Sequence, residues 1–287
     1  MNPRFPVYII SKGRWNIRQT SDAFKKINIP HKIIVEESQF NKYAEKVGEE
    51  NVLILPQEYL DRYETLDDLG SSKSKGPGAA RNFAWDHSIK SGHKWHWVFD
   101  DNIAAFYILN RNRRIGVDSG TFLYIMEDFV LRYENIAIAG PNYMCFAKNR
   151  DKLPPFILNT RIYSMLLINN KIPYRWRGRY NEDTDLSLRA LKDKWVTVQF
   201  NAFLGDKTAT QRISGGNTEE FYKHEGTTNK SEMLSKIHPD VSRVTYKFNR
   251  CHHHVNYEPF KKNKLIRKDG WDFSGINNYG LSLKKIK

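Results

Sequence analysis

Two short acidic segments hold the residue types that transfer chemistry needs. Asp100, Asp101 and Asn102 follow the apolar run Lys94-Trp95-His96-Trp97-Val98-Phe99. Their oxygens are hard donors, the kind that a divalent ion bridging two phosphates takes. The second segment is Arg179-Tyr180-Asn181-Glu182-Asp183-Thr184-Asp185-Leu186-Ser187-Leu188-Arg189. Its spacing predicts a helix start, with Asn181 as the cap and carboxylates in the first turn, where they complement the macrodipole. From there Asp183 or Glu182 can project into a pocket as a general base that takes a proton from an attacking hydroxyl. Cations are at hand in the loop from Gly70 through Lys75 to Gly78, and in Arg81 behind it. They would neutralise a diphosphate and stabilise it as a leaving group. The bland alternative for the first acidic pair is a solvated turn or a helix cap.

Cys251-His252-His253-His254 invites a zinc reading, but Cys145 is the only other cysteine. A closed zinc site needs a second ligand pair at a recognisable spacing. Adjacent histidines on a strand face opposite ways. A single imidazole completing a metal held by Asp101 therefore fits better than a zinc knuckle, with solvent-exposed or core-capping histidines as the alternative. Aromatic residues interleave with cations in Tyr174–Tyr180 and Tyr257–Lys264. Such stretches suit phosphates and unstacked bases, or long basic side chains lying over half-buried rings.

These groups must be held by elements, and the first 100 residues supply them in alternation. Pro6–Ile10, His31–Val35 and Asn51–Leu55 are short apolar runs that read as strands. Helical patterns over 18–27 and 36–50 separate them. Another helix is expected from Pro77 to Ile89, since proline suits a first turn and Ser91-Gly92 a stop. Lys94–Phe99 is the fourth strand. Continuous apolar strands alternating with helices indicate a parallel sheet covered on both faces. Ligands of such sheets bind outside the carboxyl ends of the strands, which is where Asp100 and Asp101 fall. The second half is less regular: a helix over 120–133, strands over 136–140, 164–168 and 196–200, and a helix over 182–192.

Composition bounds the reading. The chain has 287 residues, 40% hydrophobic and 27% charged, which excludes a disordered or fibrous chain. A formal charge of +14 favours polyanionic partners: nucleic acid, an anionic membrane surface or nucleotides. Two cysteines exclude a disulfide framework, and Cys145, in an apolar run, is expected as a buried thiol. Without a signal-like hydrophobic start, or an apolar run near the roughly 18–20 residues of a membrane span, no membrane partner is expected. The expected location is the cytoplasm.

Taken together, Gly76-Pro77-Gly78-Ala79-Ala80-Arg81-Asn82, Trp97–Ile103 and Asn181–Arg189 resemble, in that order, the donor-loop, DxD-type and xED motifs of GT-A glycosyltransferases. More narrowly the sequence is similar to the TET-associated glycosyltransferase family of bacteriophages, related to the glucosyltransferases that complete base J. Val7–Arg14, Phe200–Lys207, Gly215–Thr218 and His253–Val255 belong to that likeness, which runs from about residue 5 to residue 267. The resemblance implies an α/β, GT-A-type fold with a Rossmann-like mixed sheet flanked by helices. It implies one domain over 1–287: a nucleotide-sugar half to about 105, an acceptor half over about 106–250 and a basic segment over about 251–287.

It further implies a UDP-sugar donor, a divalent metal, Mn or Mg, and DNA carrying 5-hydroxymethylcytosine or 5-hydroxymethyluracil as acceptor. By motif match Asp100, Asp101 and Asn102 become metal and diphosphate ligands, with His253 or His254 as a further ligand. Lys12, Arg14 and Glu36 line the nucleotide pocket, Lys75, Gly78 and Arg81 the donor loop. Asp183 takes the base role beside Glu182. Asn102 departs from a DxD motif that ends in a carboxylate, and an amide oxygen is a poorer metal ligand. A glycosyltransferase for protein or polysaccharide, a DNA-binding relic of the fold and, more distantly, a nucleotidyltransferase are the other readings.

Overall fold

The computed structural model describes residues 1–66, 75–147, 153–208, 228–247 and 250–270. Strands β1 (Val7–Ile10), β2 (Lys32–Glu36), β3 (Val52–Leu55) and β4 (Trp95–Asp100) pair in parallel in the order β3-β2-β1-β4. Between them lie helices α1 (Gln19–Lys26), α2 (Phe40–Val47), α3 (Gln57–Asp61) and α4 (Gly78–Lys90). This half matches the expected alternation.

The second half adds β5 (Ile103–Asn110), β6 (Arg113–Gly116), α5 (Thr121–Leu131), β7 (Ile136–Tyr143), β8 (Phe156–Leu158), β9 (Met165–Asn169), α6 (Glu182–Lys192) and β10 (Val196–Lys207). The sheet continues from β4 as β9-β7-β10-β5-β6, with β8 on β10. β9 runs antiparallel to both β4 and β7, so the sheet is mixed, not parallel throughout. That reversal matters for the site. It sets the start of β9 beside the carboxyl end of β4, where the ends of β7 and β10 also lie.

Side-chain alternation explains why the strands are apolar at nearly every position. Ile9, Ile33, Phe99 and Leu167 pack with Phe24 of α1, Tyr43 of α2 and Met126 of α5. Their neighbours Tyr8, Ile34, Val98 and Leu166 pack on the other face with Ala84 and Trp85 of α4 and Leu186 of α6. A sheet buried on both faces leaves few positions for polar side chains except at strand ends.

Helix α7 (Thr228–Ile237) and the hairpin β11 (Ser242–Lys247) to β12 (Arg250–Val255) form an outlying unit. Leu234, Val255 and Phe260 join it to Leu188 and Leu191 of α6. One expectation is corrected, and one open pair of alternatives is answered by basic side chains lying over rings. Cys145 is exposed, because β7 ends at Tyr143 and the chain turns outward over the next residues. Tyr174–Tyr180 is an inward-packed stretch: Trp176 and Tyr180 are buried, and Arg177 pairs with Asp185. Most of the Gly70–Gly78 loop, Gly215–Thr218 and the chain after 270 lie outside the described residues.

Candidate active site

The centre is built around a buried cation. Arg81, in the first turns of α4, is 2% exposed, and its guanidinium meets three carboxylates. It donates to Asp100 Oδ1 at 2.8 Å, to Glu182 Oε1 at 2.9 Å and to Asp183 Oδ1. The indole of Trp176 lies 4.6 Å from the guanidinium carbon. Helix α6 delivers Glu182 and Asp183 in its first turn, as the sequence predicts. Asn181 holds the cap position with a left-handed φ of 53° but makes no side-chain cap; its amide donates to the Lys230 carbonyl at 2.6 Å. The expected capping bond is thus replaced by a tie to α7.

Two further groups complete the centre, and neither was expected from sequence. Ser164, at the start of β9, donates its backbone N–H to Asp183 Oδ2 at 3.3 Å and its hydroxyl to Asp100 Oδ2 at 2.7 Å. Its φ of 63° is left-handed, an uncommon and strained setting for a residue with a Cβ. Lys207, the last residue of β10, donates to Asp100 Oδ2 and, at 2.7 Å, to Ser164 Oγ. Tyr143, the last residue of β7, bonds the same hydroxyl at 2.5 Å.

Electrostatics sort the three carboxylates. Burial pushes Asp100 up, but Lys207 and Arg81 overcome it and hold the group well below the usual carboxylate range. Burial, reinforced by Asp183, lifts Glu182 to about 7. Burial also raises Asp183 against the pull of Arg81, with Asp100 adding to the rise. The site therefore holds one firmly ionised carboxylate and two that keep protons more readily.

Asp101 points elsewhere. It accepts from Ser11 Oγ at 2.6 Å and pairs with Arg14, beyond the carboxyl end of β1. Lys12 pairs with Glu36 at 2.9 Å, between the ends of β1 and β2. Lys12, Arg14 and Glu36 thus share the strand-end edge with the centre. Lys75 is not brought there: its ammonium donates to the Leu60 carbonyl at 2.6 Å. Gly78 answers to packing, since a Cβ on it would lie 1.8 Å from Tyr63 Oη. Of the histidines, His254 is exposed, and its neighbour His253 faces the opposite way on the strand. Burial, with Lys230 and Arg161 adding, lowers His253 to about 4.

The five expected metal ligands are therefore not gathered. Among the described residues, no group of three or more His, Cys, Asp or Glu is placed to hold a metal. What remains is Asp100 and the amide oxygen of Asn102, which is buried and has no hydrogen-bond partner among the described residues. Both are hard oxygens, the donor type a magnesium-like ion takes alongside substrate phosphates and water, and the Asp100 oxygens are already engaged by Arg81, Ser164 and Lys207.

The family described as TET-Associated Glycosyltransferase matches over residues 5–216. No curated protein matches. Among solved structures, mannose-1-phosphate geranyltransferase from Thermus thermophilus is 10% identical with a TM-score of 0.31. That match covers 81% of this chain and 64% of the other, so the chain spans less than two thirds of that relative. Mannose-6-phosphate isomerase from Helicobacter pylori is 11% identical with a TM-score of 0.27, covering 93% of this chain and 94% of that one.

Proposed function

The chain belongs to the TET-associated glycosyltransferase family, and on that premise we propose that it moves a sugar from UDP to the hydroxymethyl group of 5-hydroxymethylcytosine or 5-hydroxymethyluracil in DNA. The observation that carries the reading is the meeting of Asp100, Glu182 and Asp183 on Arg81 at the strand-end edge. Asp183 is the base. Its side chain is 15% exposed, and it removes the proton from the attacking hydroxymethyl oxygen. Ser164 N–H and Arg81 hold that carboxylate in place. Glu182, raised to about 7, shares the Arg81 guanidinium with it.

The nucleotide lies over the ends of β1, β2 and β4, with Lys12, Arg14 and Glu36 lining the pocket. Arg81 and Lys207 place two cations beside Asp100, where charge grows as UDP departs. Asp100 and Asn102 are the residues that would hold Mg or Mn, which supplies Lewis-acid charge stabilisation to the diphosphate. Direct displacement at the anomeric carbon inverts its configuration. The half up to about residue 105 binds donor, and the rest of the domain receives the acceptor.

The test is a product mass. The protein is incubated with hydroxymethylcytosine DNA or hydroxymethyluracil DNA, Mn and a panel of UDP-sugars, and the DNA is digested to nucleosides. A nucleoside heavier by a hexose or a pentose is expected. UDP binding with no gain on either DNA would overturn the acceptor and turn the search to protein or polysaccharide.

A further inference from the structure

One aromatic row next to the centre has no part in the chemistry above. Tyr143, whose hydroxyl bonds Ser164, lies between Tyr163, with ring centroids 4.6 Å apart, and Phe146, at 5.5 Å. Phe146 is 55% exposed, in contrast to the buried phenylalanines of the sheet. Its turn is pinned: Arg114 of β6 donates to the carbonyls of Met144 at 3.2 Å and Ala147 at 3.0 Å, on either side of it. An exposed ring fixed in this way does not contribute to the core, and its preorganisation lowers the cost of binding something flat.

The groups around the row are cationic. The Arg161 guanidinium carbon lies 5.0 Å from the Tyr163 ring, and Lys207 Nζ lies 5.9 Å from the Tyr143 ring. Rings flanked by cations, on a chain of charge +14, select a flat group attached to a polyanion.

Resting on the acceptor class proposed above, we infer that Phe146, Tyr143 and Tyr163 form the seat on which an unstacked nucleobase of the DNA strand lies. Arg161 faces its backbone. A base in duplex DNA must leave the stack for its hydroxymethyl group to reach a buried carboxylate, and the row is the place that receives it. The Tyr143 and Ser164 hydroxyls link the seat to Asp100 in the centre.

The experiment uses a fluorescent single-stranded oligonucleotide and the full chain. Phe146→Ala should weaken binding about 5- to 100-fold, the range for losing one base–aromatic stack, and Phe146→Trp should restore it. Because Phe146 carries no charge, the salt slope of binding should not change. UDP binding and the melting temperature should also match wild type, which separates a lost seat from a damaged fold. Cys145, exposed beside Phe146, gives a second readout on the unaltered protein. Saturating oligonucleotide should slow its alkylation several-fold relative to Cys251.

Binding by Phe146→Ala within twofold of wild type would overturn the inference. So would an unprotected Cys145, or wild-type protein that binds no oligonucleotide. Wild-type protein that binds in a Phe146-dependent way, yet adds no sugar to hydroxymethyl DNA, would sink the proposed reaction and leave the seat standing.

Discussion

Arg81 has exchanged water for three carboxylates, so the charge on each of them matters to the fold as well as to the reaction. Substituting Asp183 by Asn keeps the shape and one acceptor, for the Ser164 N–H, while an NH2 replaces the basic oxygen that accepts from Arg81. Turnover of Asp183→Asn should fall about 100- to 10,000-fold with UDP affinity within twofold, measured by steady-state kinetics and calorimetry; wild-type turnover would remove Asp183 from the role. Glu182 makes a different prediction. Burial, reinforced by Asp183, lifts its pKa in the fold to about 7 from an ordinary value of 4.5. Between those values the folded chain binds more protons than the unfolded one, so stability falls as pH rises through this window. Asp183, also raised, adds in the same sense, whereas Asp100, depressed, acts only below its ordinary value of 3.8. A rise of this size is worth on the order of a few kcal/mol across the window. Urea melts at pH 5 and pH 8 should show wild type losing stability on this scale and Glu182→Gln losing much less. Equal losses would place the protons elsewhere.

At the scale of elements, the chain start is held by one buried carboxylate on α5. Glu127 is fully buried and accepts from Trp97 Nε1 at 2.8 Å, from Arg4 N at 2.7 Å and from Phe5 N at 3.3 Å. These bonds align the segment entering β1 with β4, the strands that Ser11 follows and Asp100 ends. Glu127→Ala leaves three donors without their acceptor and should cost about 3 kcal/mol in a denaturant melt; a loss below about 0.5 kcal/mol would mean water replaces the carboxylate. The elements that hold Asp100, Arg81 and Asp183 are legible in the sequence because each carries its own local signal: apolar runs for β1, β2 and β4, a proline before α4, acids opening α6. Ser164, Tyr143 and Lys207 are not legible in that way. They meet because β9 reverses between β4 and β7, a pairing set by contacts distant in sequence. The left-handed turn at Ser164 leaves no mark in its residue type, and the exposure of Cys145 follows from where β7 stops. The hairpin β5–β6 is equally unmarked, since its exposed Ile108 and Ile115 interrupt the usual inside–outside pattern.

For the whole molecule, charge and topology act together. All the strand ends that carry the centre open on one edge of the sheet, and the acceptor must be brought to that edge by forces reaching beyond hydrogen-bond distance. The excess of 46 basic over 32 acidic residues supplies such a force for a polyanion. Some of these cations are already used inside the protein: Arg177 and Arg189 both pair with buried Asp185, and Arg175 pairs with Asp86. Others lie on the surface, as Arg111 and Arg113 do on the β5–β6 hairpin, where charge also guards the exposed sheet edge against pairing with another chain. Engagement of about five phosphates of a single strand would lower affinity on the order of 100-fold between about 50 and 200 mM salt, through counterion release. Fluorescence anisotropy across that range should show this fall for the oligonucleotide. UDP, with only two phosphates, should respond far less. An oligonucleotide affinity that is flat with salt would detach the basic charge from the acceptor, leaving the aromatic seat and the buried centre to account for recognition on their own.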